Sequence, residues 1–280
     1  SVITISSTVS ATSEQFTQSG AEFVQNIKVG WDMGNTLEAC QLWGSWPSDL
    51  SKLTPKKSET AWNNPYTTQD IISTVANAGF NAIRIPITWT NFVTESNGTY
   101  TIRKDYLDRV QEVVDYAKNE DMYIIINMHH DDKYWLDIAY QDDEWAAAVD
   151  QYVQLWAQIA DRFKDYDEKL IFEAANEPVG ENQDGTEDWY GKENYYFDNL
   201  RELYTEFFEV VRNSGGNNGK RYLVIGSFGG MRDGSQLYHI AEWIKERYAK
   251  GDDHLIGSMH WYPGMTTYRP YYDAILNRCK

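Results

Sequence analysis

The chain has 280 residues, 42% of them apolar and 15% aromatic, with 42 acidic against 25 basic side chains and a formal charge of −17. That length and apolar content suffice for one sizeable core, and barrel domains of this size commonly run as a single unit. The charge repels a phosphate backbone and an anionic bilayer surface, which argues against nucleic acid or membrane as a partner and favours a neutral ligand.

In chain order, residues 1–20 are rich in Ser and Thr and read as a flexible or loosely docked lead-in, leaving residues 21–280 as a single barrel-like unit. Val29 to Gly34 reads as a first strand, and Thr68 to Ala78 as a helix capped by Thr67 and leaving at Asn77-Ala78-Gly79. Ala82 to Ile87 is a second strand, followed by a turn-like Asn97-Gly98-Thr99 that is also a glycosylation sequon, and then a helix from Lys104 to Asn119. Tyr123 to His129 is a third strand, Glu144 to Phe163 a helix, and Leu170 to Pro178 a fourth strand. A helix from Tyr196 to Asn213 capped by Asp198, a strand from Tyr222 to Gly226, a helix from Gln236 to Tyr248 and a strand from Leu255 to His260 complete the series. No run approaches the ~20 apolar residues that span a bilayer. Cys40 and Cys279 are too few for a disulfide framework and are taken as free thiols.

This alternation predicts a parallel sheet with helices outside it, either an open doubly wound sheet or a closed TIM-type (β/α)8 barrel. The strand ends favour the barrel. Asn35, Arg84, Trp89, His129, His130, Asn176, Glu177, Ser227, His260 and Tyr262 put polar or aromatic residues after strand upon strand, whereas an open sheet gathers them at one switch point. No G-x-G-x-x-G or P-loop pattern is present, and no cofactor or metal is expected.

The run Leu170-Ile171-Phe172-Glu173-Ala174-Ala175-Asn176-Glu177-Pro178 carries the chemistry. Pro178 cannot donate to a ladder and ends the strand, delivering Glu177 to a barrel rim. Strict alternation puts Glu173, Ala175 and Glu177 on one face and Phe172, Ala174 and Asn176 on the other, unless a bulge intervenes. Arg84 within an apolar strand needs an acid partner, and Glu173 reads as a buried, paired structural acid. Adjacent His129 and His130 should point to opposite faces, which disfavours a shared metal ion. Glu38 and Asp131 are expected at the rim. Tryptophans 31, 43, 46, 62, 89, 135, 189 and 261 lie mostly in loops or near strand ends, as sugar-stacking faces would, while Trp156 and Trp243 read as plain packing.

Taken together, Trp31-Asp32-Met33-Gly34-Asn35-Thr36-Leu37-Glu38, Ile83 to Trp89, Met128-His129-His130-Asp131, Phe172 to Pro178 and Met259-His260-Trp261-Tyr262-Pro263 resemble glycoside hydrolase family 5, the endoglucanase branch, from about Phe23 to about Pro270. The resemblance implies a (β/α)8 barrel and a retaining, endo-acting cleavage of β-1,4-glucan, whether cellulose or a related hemicellulose, by a secreted, extracellular enzyme. It makes Glu177 the acid/base, with Asn176 on the sugar 2-hydroxyl, Arg84 beneath the nucleophile, and His260 and Tyr262 orienting the carboxylates. Asn35, Glu38 and Trp43 would form the glycone-side cleft. His129 and His130 would bind hydroxyls, and Trp135 and Trp261 would add aromatic contacts.

The same resemblance puts the nucleophile, a glutamate, at the end of a seventh strand, which barrel spacing sets at roughly 295 to 310, past Lys280. Only about six βα units are therefore expected in this chain, with open edges that invite self-association. Two alternatives stand beside the glycanase: a carbohydrate-binding barrel without its nucleophile, and a metal-dependent hydrolase using His129 or His130.

Overall fold

The computed structural model describes residues 15–181, 187–188, 194–230 and 234–260. Its helices and strands run α1 (Gly20–Phe23), β1 (Gly30–Asp32), α2 (Pro55–Glu59), α3 (Gln69–Asn77), β2 (Ala82–Ile85), β3 (Val93–Ser96), β4 (Thr99–Ile102), α4 (Lys104–Asn119) and β5 (Tyr123–Asn127). They continue with α5 (Asp142–Phe163), β6 (Leu170–Glu173), β7 (Gly180–Glu181), β8 (Glu187–Asp188), α6 (Asn194–Asn213), β9 (Leu223–Ile225), α7 (Gly234–Ala249) and β10 (Leu255–Gly257).

β1, β2, β5, β6, β9 and β10 lie side by side in that order, and every neighbouring pair is parallel. Each strand reaches its neighbour through a crossover that contains a helix, the arrangement of a (β/α)8-type fold, of which the described residues supply six strands. The helix ends follow elementary chemistry. Thr54 accepts from the Lys57 amide at 3.2 Å and Pro55 opens α2, while α5 opens on Asp142, Asp143 and Glu144 and carries Arg162 in its last turn.

Register sorts the side chains. Ile125 of β5, Ile171 of β6, Val224 of β9 and Ile256 of β10 turn inward to one cluster, while Ile83, Ile85, Ile124, Ile126, Phe172, Leu223 and Ile225 turn outward to the helices. The inward cluster is completed from the chain's start. Phe16 is 6% exposed and Phe23 stacks on Tyr222 with ring centroids 3.7 Å apart. Ser19 and Glu22 form a capping box around α1, and the Gly20 amide donates to the Asp253 carbonyl at 2.7 Å. A β-carbon at Gly20 would overlap the Leu255 carbonyl oxygen, so only glycine lets α1 lie this close to β10. Within the lead-in read as flexible or loosely docked, Phe16 and Gly20 are thus buried against the barrel.

Several local expectations need correction. The cap of α3 is Thr68 rather than Thr67, and its side chain makes no capping bond; Thr67 is instead buried, where its amide donates to Glu59. Asp198 lies inside α6. The Asn97-Gly98 turn joins an antiparallel hairpin, β3 with β4, that the strand reading overlooked. Both turn residues have positive φ, 50° and 76°, as a two-residue hairpin turn requires, and the hairpin docks on α5 through Gln154 and Gln158. Every barrel strand is also shorter than expected, because its last residues leave the ladder to build loops.

Candidate active site

The strand ends converge on an open cavity of about 460 Å³ lined by Asp32, Arg84, His129, His130, Asn176, Glu177 and His260. All seven lie at or beyond the carboxyl end of a barrel strand, the face on which such folds carry their chemistry.

Arg84 is the hub of its floor. Its Nε donates to Glu173 Oε2 at 2.7 Å, Nη1 to Asp32 Oδ1 at 3.3 Å and Nη2 to Asn176 Oδ1 at 2.8 Å. Burial alone would lower the pKa of this guanidinium, but the Glu173 and Asp32 carboxylates hold it above the usual arginine range. Glu173 is 2% exposed, the paired structural acid that the sequence suggested. Breaking such a buried pair costs about 3–5 kcal/mol. Asp32 pairs with Arg84 in the strand register, Cα to Cα, and that cross-strand pairing is what brings its carboxylate within reach.

Asn176 should face away from Glu173 on strict alternation, and it does not. Asn127 pairs with Glu173, and the Ile124 amide donates to the Lys169 carbonyl at 2.8 Å. Continuing that register would bring the Ala175 amide to the Met128 carbonyl. The Asn176 amide sits there instead, at 2.9 Å, so one extra residue is accommodated after Glu173 and the side-chain parity inverts. Arg84 then grips Asn176. Glu177 follows into the cavity, and His260 Nδ1 meets its Oε1 at 2.6 Å.

His129 continues the inward parity of Ile125 and Asn127, since its amide donates to the Ile87 carbonyl at 2.8 Å in unbroken β2–β5 register. His130 departs from the expected opposite face because the strand has already ended. It opens a tight 3-10 turn over Asp131–Lys133 and turns back to the cavity, its ring 4.5 Å from that of His129. Burial, reinforced by Arg84, His130 and His260, pushes the His129 pKa well below the ordinary histidine value, so the ring is neutral. Among the described residues, no group of three or more His, Cys, Asp or Glu is arranged to hold a metal.

A ledge of aromatic rings leads away from His130. Trp62 lies 5.8 Å from the His130 ring and 4.9 Å from Trp43, centroid to centroid. The Trp43 carbonyl accepts from Trp46 Nε1 at 2.5 Å and Trp62 Nε1 at 3.0 Å, so its backbone is held while its side chain stands 64% exposed. A flat apolar face fixed in this way suits the face of a sugar ring.

Other expected residues sit elsewhere. Glu38 is 3% exposed and accepts from the Asn35 and Thr36 amides, so it builds the loop after β1 rather than a cleft wall. Burial outweighs those bonds and raises its pKa to about 7. Asn35 is exposed in that loop with φ 61° and does not line the cavity. Asp131, expected at the rim, is fully buried and accepts from the Trp89 and Thr90 amides. Trp89 is a core residue whose Nε1 donates to the Asn127 carbonyl, and Trp135 packs against the core with Nε1 on Thr90. Ser227 is buried, as are Trp156 and Trp243. Cys40 is a buried free thiol. Tyr262, Trp261, Trp189 and Cys279 lie outside the described residues.

Asp32 and Asn127 were missed, whereas Trp62 was among the tryptophans read as sugar-stacking faces. The signal was present for Asn127, a polar side chain closing the Ile124-Ile125-Ile126 run at the same parity as His129.

A sequence profile of the cellulase family, glycosyl hydrolase family 5, matches residues 48–273. Endoglucanase A of Ruminococcus albus is 36% identical over 257 residues, covering 91% of this chain and 63% of that protein. Endoglucanase A of Clostridium longisporum is 34% identical over 260 residues, covering 92% of this chain and 45% of that protein. Both relatives are therefore considerably longer than this chain. Among solved structures, a broad-specificity endoglucanase of Ruminococcus champanellensis with bound cellotriose superposes with TM-score 0.76 at 30% identity, covering 91% of this chain and 69% of that one. A xyloglucan-specific endo-β-1,4-glucanase from a metagenomic library, also in complex with cellotriose, superposes with TM-score 0.73 at 37% identity, covering 89% and 66%.

Proposed function

This chain belongs to glycosyl hydrolase family 5, the cellulases, and on that premise we propose that it carries the acid/base half of a retaining endo-β-1,4-glucanase. The observation that supports the reading most is the pairing of Glu177 with His260 at 2.6 Å, in an open cavity beside an asparagine held by Arg84.

Glu177 protonates the departing glycosidic oxygen and then, as a carboxylate, draws the proton from the incoming water. His260 holds its Oε1 in place. Asn176 has its amide oxygen fixed by Arg84, which leaves its NH2 group to donate to a sugar hydroxyl; such a bond on the 2-hydroxyl strengthens as the ring takes on oxocarbenium character. Retention requires a nucleophilic carboxylate roughly 5–5.5 Å from the acid/base. The reaction is accordingly that of the whole enzyme, of which family relatives are longer than this chain. The Trp43–Trp62 ledge supplies stacking surface for further sugars along an extended glucan, as endo-acting cleavage requires. A polymer of that size cannot enter a cell, so the reading implies an extracellular enzyme, and no described helix is long and apolar enough to cross a membrane.

The test compares leaving groups in the whole enzyme. Glu177→Gln is expected to lower kcat on xyloglucan or barley β-glucan by about 10²–10⁴-fold, while a dinitrophenyl cello-oligosaccharide, whose leaving group needs no proton, loses far less in the bond-cleaving step. Equal loss in the bond-cleaving step on both substrates, read as kcat/KM or as the dinitrophenolate burst, overturns the acid/base assignment.

A further inference from the structure

The side chain of Asn127 has three hydrogen-bonding partners, and together they fix its orientation. Its Oδ1 accepts from the Ile87 amide at 3.1 Å, and its Nδ2 lies 3.0 Å from Glu173 Oε2 and 3.0 Å from His129 Nδ1. Rotating the amide by half a turn would set its oxygen against a carboxylate and its NH2 group against an N–H. The orientation is therefore dictated by chemistry: both Nδ2 protons are committed, one to Glu173 and one to His129.

A ring nitrogen that accepts a hydrogen bond carries no proton. His129 Nδ1 is the acceptor, so in the neutral ring the proton is on Nε2. The geometry points to Asn127 as a positioning residue that locks His129 in its Nε2–H tautomer, so that the cavity meets the substrate here with a hydrogen-bond donor. The groups facing His129 act in the same direction. Arg84, His130 and His260 all oppose a second proton on the ring, and the described carboxylates around it are engaged elsewhere, Glu173 by Arg84 and Asn127, Asp32 by Arg84 and Glu177 by His260. The donor therefore persists with pH, and it suits a sugar hydroxyl or ring oxygen presented as an acceptor. The tautomer stands on geometry alone; its role toward a sugar rests on the glucanase reading.

Long-range ¹⁵N–¹H spectra of this chain test the tautomer without any need for turnover, with His129 identified by the signal missing from His129→Gln. The wild type is expected to show an Nε2–H ring that does not titrate between about pH 5 and about pH 8. Asn127→Asp keeps the acceptor for the Ile87 amide and sets a carboxyl oxygen where Nδ2 now lies 3.0 Å from Glu173; the two acids share one proton between them, which leaves no donor for His129 Nδ1. In that variant Nδ1 takes a proton against the introduced carboxylate, and the ring titrates within the same range. An Nδ1–H ring in the wild type overturns the proposal, and so does an unchanged tautomer in the variant. Should the variant fail to fold, the wild-type spectrum alone decides. In the whole enzyme, kcat/KM of Asn127→Asp on xyloglucan should fall about tenfold more than wild type as pH rises through the new histidine pKa, because the neutral ring then offers a bare Nε2. A variant that is impaired equally at every pH would make Asn127 merely structural.

Discussion

Glu38 holds a proton at pH values where an ordinary glutamate has lost it, because burial raises its pKa from 4.5 to about 7. Below about pH 4.5 the folded and unfolded chains both keep that proton, so the group adds no slope to stability. Between 4.5 and 7 the unfolded chain releases it first, and stability falls as pH rises, by about 3 kcal/mol in all before levelling off. Glu38→Gln has nothing to titrate and should lose that part of the slope. It should also start less stable at low pH, because an amide nitrogen cannot accept from the loop amides that Glu38 serves. Urea unfolding of both proteins at several pH values checks this, and parallel curves would refute it. That loop begins directly after Asp32, the last residue of β1, whose carboxylate meets Arg84, so the titration lies next to the floor of the cavity.

At the scale of elements, much was legible because periodicity and turn chemistry act locally. The apolar spacing of Lys104 to Asn119 gives α4 its observed bounds, and the Ile124-Ile125-Ile126 run marks β5. Glu177, Arg84 and His260 were legible from one rule, that strand ends carry function. What escaped depends on neighbours. Asn176 changes sides through a single extra residue whose presence only the Met128 carbonyl reveals, and Trp89 differs from Trp62 only in what other elements bury it. Glu38 and Asp131 are polar residues near strand ends, like the true lining residues, but nearby amides claim them. α1 is the element whose docking is easiest to test. Gly20→Ala must push α1 away from the Leu255 carbonyl, with a loss of about 1–3 kcal/mol, whereas Phe23→Ala removes a buried ring at about 3–5 kcal/mol. Chemical denaturation measures both, and a neutral Gly20→Ala would contradict the close approach.

For the molecule as a whole, the charge of −17 bears, on the glucanase reading proposed above, on how it meets a polymer. A neutral glucan feels no net field, whereas carboxymethylcellulose is repelled at long range until salt shortens the Debye length to about 10 Å at 0.1 M. Raising ionic strength should therefore lower the KM of the whole enzyme for carboxymethylcellulose and leave that for xyloglucan nearly unchanged; matched shifts in both would refute a field effect. The plug at the chain's start bears on how the molecule is made. Phe16 accepts at its carbonyl from His254 Nε2 across 238 residues, and Gly20 bonds to Asp253. The segment is made before β10 and can form these bonds only once β10 has followed. Until then Phe16 lacks its bond to His254, and the inner cluster lacks Ile256. Closing that end is a contact of very high sequence separation, which makes it a late step in folding and leaves the nascent barrel dependent on what shields Phe16 and Phe23 in the meantime.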